Sequence, residues 1–348
     1  MTIAAMTIPT HILGLPRRGQ QREDQTAALR ARHWQLQRDA GLDHVSVGDC
    51  ALFNPMLDHM QLLGCAPDGA PPDGTPPDGL PPNGSPPALN TAQWFDTDWQ
   101  YLVPEFHRDT RFSLHAERLL AEVRQAQALG HPVKATLLGP LSFLWLGQSQ
   151  DGVDRLALLD QLLPVYTHLL AQLKAAGVQW VQVDEPILGL DLPDAWRHAY
   201  EGAYWQLSRS GAQILLATHF ASLGDKLRLA CQLPVAGLHI DLVRAPQDLT
   251  GVLDWLPAYK LLSLGLVDGR SDLDAALRLL QQASAKHRGP LWIAPSCSLL
   301  HVPEDAPNTD LRSWLTLVGE KLQTLQCLHK AAVPSLPETQ RAPTACTA

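Results

Sequence analysis

Eight short apolar or β-branched runs recur along the chain, most of them separated by a stretch long enough for a helix, and this alternation constrains the fold more than any other feature. The runs are His11 to Leu15, His44 to Gly48, Val133 to Leu138, Val178 to Asp184, Gln213 to Thr218, Gly237 to Asp241, Leu261 to Leu266 and Leu291 to Ala294. Between them lie stretches with apolar residues at a 3.6-residue period. Asp154 to Ala176 is followed by Gly177, where a C-cap glycine belongs, and Asp272 to His287 opens on an acidic N-cap. Repeated strand-helix units predict an α/β fold with a parallel sheet, and eight of them predict a single (β/α)8 TIM-type barrel. The 348 residues are enough for one such barrel, which typically takes about 250. The sequence has neither G-x-G-x-x-G nor G-x-x-x-x-G-K-[ST], so a doubly wound nucleotide-binding sheet is disfavoured and no nucleotide cofactor is expected.

The interval between the second and third runs contains PDGAPPDGTPPDGLPPNGSPP (67 to 87), a five-residue repeat of turn-forming residues with no apolar face. It holds 13 of the chain's 28 Pro and 24 Gly, so the surplus of these residues is one local insert. A flexible Pro/Gly-rich loop is predicted over 66–90, between strands 2 and 3, followed by a helical region from about Thr91 to Leu129. The barrel is expected over 1–335, with a disordered tail at 336–348. With 27 basic and 35 acidic residues the net charge is -8, which argues against a surface spread over nucleic acid. No apolar run reaches the roughly 20 residues of a membrane-spanning helix. Met1 to Pro16 shows no secretory pattern, so a cytoplasmic setting with no membrane partner is expected. The widely spaced Cys50, Cys65, Cys231, Cys297, Cys327 and Cys346 suit reduced thiols.

In a barrel of this kind the C-terminal strand ends form the functional face, and several runs end on polar residues. The fourth ends on Asp184-Glu185. Adjacent strand residues point to opposite faces, so at most one of these carboxylates faces the barrel centre. His219, Asp241 and Cys297 follow three different runs and would offer nitrogen, oxygen and sulfur ligands suited to zinc. Their spacing matches no local metal motif, and a hydrogen-bonded His219 with an ordinary buried Cys297 is the simpler account.

The segments GLPRRGQQRE (14 to 23), QWFDTDWQYLVPEF (93 to 106), LLGPLSFLWLG (137 to 147), WVQVDEPILGLDLPDAW (180 to 196), LPVAGLHIDLVR (233 to 244) and LWIAPSCSLLHVP (291 to 303) closely resemble the N-terminal half of cobalamin-independent methionine synthase. The resemblance implies one of two face-to-face barrels in an enzyme that moves a methyl group from methyltetrahydrofolate triglutamate to homocysteine on zinc, without cobalamin. It also implies that the zinc-bearing half is the other barrel. The family holds the folate tail with an R-E-L-K stretch and a K-W pair, which here read Arg22-Glu23-Asp24-Gln25 and Gln93-Trp94. Both lysines are glutamines, which removes two charge-assisted contacts of about 1.5 to 3 kcal/mol each. Arg17, Arg18 and Arg22 are the remaining cations there. With the duplicated half's ligand pattern laid over this barrel, H-x-C falls on Ala217-x-His219, Glu on Asp241 and the final Cys on Cys297. Three of four positions keep competent ligands, as a zinc site or as its packed vestige. The resemblance thus implies a stand-alone N-terminal-type barrel with a separate C-terminal-type barrel as partner, and no methyl transfer by the lone chain. A folate- or thiol-binding regulatory barrel and an independent zinc-dependent methyltransferase are the alternatives.

Overall fold

The computed structural model describes residues 3–5, 23–39, 42–49, 54–67, 90–97, 100–268 and 272–297, with positions 320 and 324. Eight strands form one parallel sheet: β1 (Ile3–Ala5), β2 (Val45–Val47), β3 (Val133–Leu138), β4 (Trp180–Asp184), β5 (Ile214–Ala217), β6 (Gly237–Asp241), β7 (Leu261–Val267) and β8 (Leu291–Pro295). From β2 to β8 each strand lies beside its successor, and β8 returns to pair with β1 through Ile3↔Leu291 and Ala5↔Ile293. Pairing of the last strand with the first curls the sheet into a TIM-type barrel. No β1–β2 ladder occurs among the described residues, so the seam lies there.

The runs expected from His44 onward are all strands. The expected run His11 to Leu15, residues 68–89 of the expected loop and the tail lie outside the described residues, and the first strand is Ile3–Ala5. The helix expected from Thr91 to Leu129 is corrected. Thr91–Gln93 and Gln100–Leu102 form an antiparallel pair, Glu105–Phe106 pairs with Gln148–Ser149, and only Glu117–Ala128 is helical. The reason is periodicity. Only in that last part do Leu119, Glu122, Val123 and Ala126 bury at the i, i+3, i+4, i+7 positions of one helix face. The aromatic residues Trp94, Tyr101 and Phe106 pack as extended segments.

Nine helices are described: α1 (Glu23–Asp39), α2 (Pro55–Leu62), α3 (Glu117–Ala128), α4 (Pro140–Leu146), α5 (Leu159–Ala175), α6 (Asp194–Ser208), α7 (Leu227–Gln232), α8 (Asp248–Trp255) and α9 (Leu273–Lys286). The side chain of Asp154 accepts from the Leu156 N–H at 3.0 Å, opening a short 3-10 turn that leads into α5. Leu159, Leu162, Leu163, Tyr166, Leu169, Leu170 and Leu173 then form the buried stripe of α5, each leucine contributing about 1.5 to 3 kcal/mol. Gly177, at φ +82°, takes the left-handed position after the helix. Asp272 caps α9 by accepting from the Asp274 N–H at 2.9 Å.

The barrel interior is layered. Near the N-terminal strand ends Trp180, Leu215, Leu261 and Trp292 pack together, the two indoles edge to face at 4.8 Å. Toward the C-terminal ends come Lys134, Gln182, His239 and Ser263, all buried. Barrels usually fill this level with branched aliphatic residues. A polar layer there is stable only if its members satisfy one another, and it is this layer that supports the site.

Candidate binding site at the barrel mouth

The polar layer continues to the mouth as a chain of hydrogen bonds. The Lys134 ammonium bonds Gln182 Oε1, and Gln182 Nε2 donates to Asp184 Oδ1 at 2.6 Å. Asp184 Oδ1 lies 3.4 Å from His219 Nε2, and His219 Nδ1 lies 3.3 Å from the Ser296 carbonyl. That carbonyl also receives His239 Nε2 at 3.4 Å, and His239 Nδ1 meets Ser263 Oγ at 2.8 Å. A carbonyl only accepts, so His239 donates through Nε2, while both ring nitrogens of His219 face acceptor oxygens. Burial holds the His239 imidazole well below its ordinary pKa, so it is neutral and accepts from Ser263. Burial also lowers Lys134 to about 8, against the opposing pull of Asp184 and Asp49.

Asp184 faces this interior. Glu185 points outward, fully buried between the sheet and the helices, and ties them together. It accepts from Ser142 N at 2.8 Å, Ser142 Oγ at 2.6 Å, Leu141 N at 3.3 Å, Tyr200 OH at 3.1 Å and Tyr204 OH at 3.2 Å. Burial pushes its carboxyl up to about 7, while these donors pull it down. A β-carbon at Gly139 would sit 2.1 Å from Glu185 Oε1, which is why glycine precedes α4. Glu185 therefore anchors the wall behind the site.

His219, Asp241 and Cys297 do converge at the mouth, around a residue that sequence reading did not single out. Arg244, three positions after Asp241 in the turn leaving β6, places Nη1 3.5 Å from Asp241 Oδ2 and 3.7 Å from Cys297 Sγ. Its Nε lies 3.4 Å from Asp96 Oδ2, and its guanidinium carbon sits 5.3 Å from the centroid of the Phe220 ring. Phe220 stacks on Phe95 at 5.1 Å and an interplanar angle of 19°. Phe95 (φ 50°) and Phe220 (φ 72°) are the two non-glycine residues with positive φ among those described. Both strained residues thus meet above the mouth, in a contact that also draws in Asp96 and Arg244.

The three candidate ligands are engaged elsewhere. Asp241 Oδ1 accepts from Val243 N at 3.1 Å and Arg244 N at 3.0 Å, Oδ2 accepts from Phe220 N at 3.3 Å, and Oδ2 is paired with the Arg244 guanidinium at 3.5 Å. Burial pushes the Cys297 thiol up to about 12, so it keeps its proton at neutral pH. Both ring nitrogens of His219 already have partners. Among the described residues no group of three or more His, Cys, Asp and Glu side chains is placed to hold a metal ion. As arranged, the donor set does not fit zinc, which requires free lone pairs about 2.0 to 2.3 Å from one point.

Of the residues expected to contact a substrate, Arg17 and Arg22 lie outside the described residues, and Gln25 falls in α1. Gln93 ends the strand before the Phe95 loop, where its Nε2 donates to the Thr97 carbonyl at 2.8 Å. A cavity of about 570 Å³ lies between α2 and α3 and the C-terminal parts of β2 and β3, and includes Asp58, His59, Arg118 and Glu122. Arg118 pairs with Asp58, and Arg30 lies 3.6 Å from Glu122.

The fold and the mouth define a single-chain (β/α)8 barrel whose polar face is built at the C-terminal ends of its strands. Residues 20–288 match the family described as cobalamin-independent synthase, N-terminal domain, and the chain belongs to that family. The fold is similar to that of the B12-independent methionine synthase from Shewanella sp. W3-18-1 solved in complex with selenomethionine. The TM-score is 0.66 at 14% identity, covering 95% of this chain and 98% of that one. It is also similar to that of a methyltransferase from Methanosarcina mazei, with a TM-score of 0.61 at 12% identity, covering 92% and 94%. Among the described residues no helix is long and apolar enough to cross a membrane.

Proposed function

We propose that this chain is the N-terminal-type barrel of a cytoplasmic methyl-transfer system in methionine or one-carbon metabolism. A separate zinc-bearing C-terminal-type barrel supplies the reaction centre for transfer from methyltetrahydrofolate to homocysteine, without cobalamin. The observation that supports this reading is the state of the mouth. Asp241 is held by three backbone N–H donors and an ion pair with Arg244, and Cys297 is a buried thiol, so the barrel has a polar face without free metal-thiolate ligands. The ligand class is a folate or a thiol, with Arg17, Arg22, Gln25 and Gln93 on the side that the family resemblance gives to the folate tail.

An independent single-barrel methyltransferase is the second reading, and the extent of the structural matches supports it. The two solved neighbours, a B12-independent methionine synthase and a methyltransferase, are matched over 98% and 94% of their own chains. The test is a methyl-transfer assay with methyltetrahydrofolate, homocysteine and zinc, run on the pure chain and again after adding a C-terminal-type barrel. Turnover is expected only in the second case. Turnover by the chain alone overturns the first reading and supports the second, whereas folate binding with no turnover in either case points to a regulatory barrel.

A further inference from the structure

The turn at 93–97 bears on access to the mouth, under either reading of the reaction. The strand beyond it, Gln100–Leu102, is anchored beside β3, where Tyr101 OH donates to the Leu146 carbonyl at the end of α4 at 2.9 Å. The turn itself touches residues that follow β5 and β6: Phe95 stacks on Phe220, and Asp96 Oδ2 lies 3.4 Å from Arg244 Nε. In the sheet β4 lies between β3 and β5, so this segment bridges the end of β4, the strand that finishes on Asp184. Beneath the contact His219, Asp241 and Cys297 are buried. A ligand reaches these groups only if their cover moves.

The turn is internally braced, since Gln93 Nε2 donates to the Thr97 carbonyl at 2.8 Å and Thr97 Oγ1 to the Trp94 carbonyl at 2.6 Å. The partners it meets are fixed by Asp241, which accepts from Phe220 N and Arg244 N and pairs with the Arg244 guanidinium. The contact between the two sides rests on one ring stack and one part-exposed ion pair, both weak, and positive φ at Phe95 and Phe220 opposes it. The geometry points to residues 93–97 as a latch that shuts the barrel mouth, with Phe95 and Asp96 engaging a catch made of Phe220 and Arg244. Opening is a local event that uncovers the mouth while the barrel stays folded. The latch also accounts for a guanidinium that neither Asp241, with its three backbone donors, nor the neutral Cys297 thiol requires.

The test is labelling of the native full chain with N-ethylmaleimide, read by mass spectrometry at two thiols. Cys297 Sγ lies 3.7 Å from Arg244 Nη1, under the latch, whereas Cys231 lies in α7. Both are buried, and burial pushes both thiols up to about 12, so acidity favours neither. In the wild-type chain Cys297 is expected to label about tenfold faster than Cys231 and with a weaker dependence on urea, as a local opening does. Phe95→Ala is expected to speed Cys297 about fivefold and Asp96→Asn about twofold, with Cys231 unchanged. Equal rates with equal urea dependence at the two wild-type thiols would overturn the proposal, because only global unfolding would then uncover the mouth. So would variants that fold by circular dichroism and either leave Cys297 labelling as it was or speed both thiols together. If neither variant folds, the wild-type urea series decides on its own.

Discussion

Glu185 shows how one buried carboxylate can hold a barrel wall in place. Its oxygens gather five donors from α4 and α6 just beyond the end of β4, in a space that exists because residue 139 has no side chain. Glu185→Gln places an amide nitrogen against these donors and is expected to cost about 2 to 3 kcal/mol in urea unfolding. The pH dependence has a definite sign. The folded-state value of about 7 lies above the ordinary 4.5, so the native chain binds more protons than the unfolded chain between those limits. The stability that Glu185 contributes is therefore present below pH 4.5 and declines as pH rises to 7, by on the order of 3 kcal/mol. Urea midpoints measured across this window should fall for the wild-type chain and stay flatter for the glutamine variant. Equal slopes would show that Glu185 does not titrate there.

At the scale of elements, the segment between β2 and β3 carries Phe95 across to Phe220, beyond the end of β5, and the contact between them costs backbone strain at both residues. Replacing Phe95 removes a stack worth about 0.5 to 1.5 kcal/mol. Phe95→Ala leaves a β-carbon at φ 50° and Phe95→Gly does not, so the glycine variant is expected to be the more stable by about 1 kcal/mol in the same denaturation assay. The opposite order would mean that this backbone conformation is not what the stack enforces. The strands that were legible in the sequence, such as Val133–Leu138 and Gly237–Asp241, are those whose apolar runs are self-contained. Residues 91 to 106 misled because their conformation is set by partners distant in the chain: Phe220, Arg244 and the strand Gln148–Ser149. The candidate site was legible only in part for the same reason. Strand ends located His219, Asp241 and Cys297, but no spacing rule could show that Arg244, in the turn after β6, would reach the thiol beyond β8.

At the scale of the molecule, the core has two unlike zones. The helices cover the outside of the sheet with leucine, whereas the inside passes from indole and leucine at one end to lysine, glutamine and histidine farther along. Trp292→Ala is expected to cost about 3 to 5 kcal/mol through the cavity left beside Trp180. Trp205→Ala, at a side chain 61% exposed and packed against Arg209, should change stability by less than about 1 kcal/mol. Equal losses in the two variants would refute the layered interior.

The paired indoles have a further consequence. With the buried polar layer above them they leave no passage through the barrel, so whatever binds at the mouth beside Arg244 must leave by the way it came. A second barrel seated over that opening would have to lift or slide aside once per exchange of ligand, so docking and release, and not passage through the barrel, would set the pace of any cycle the two share.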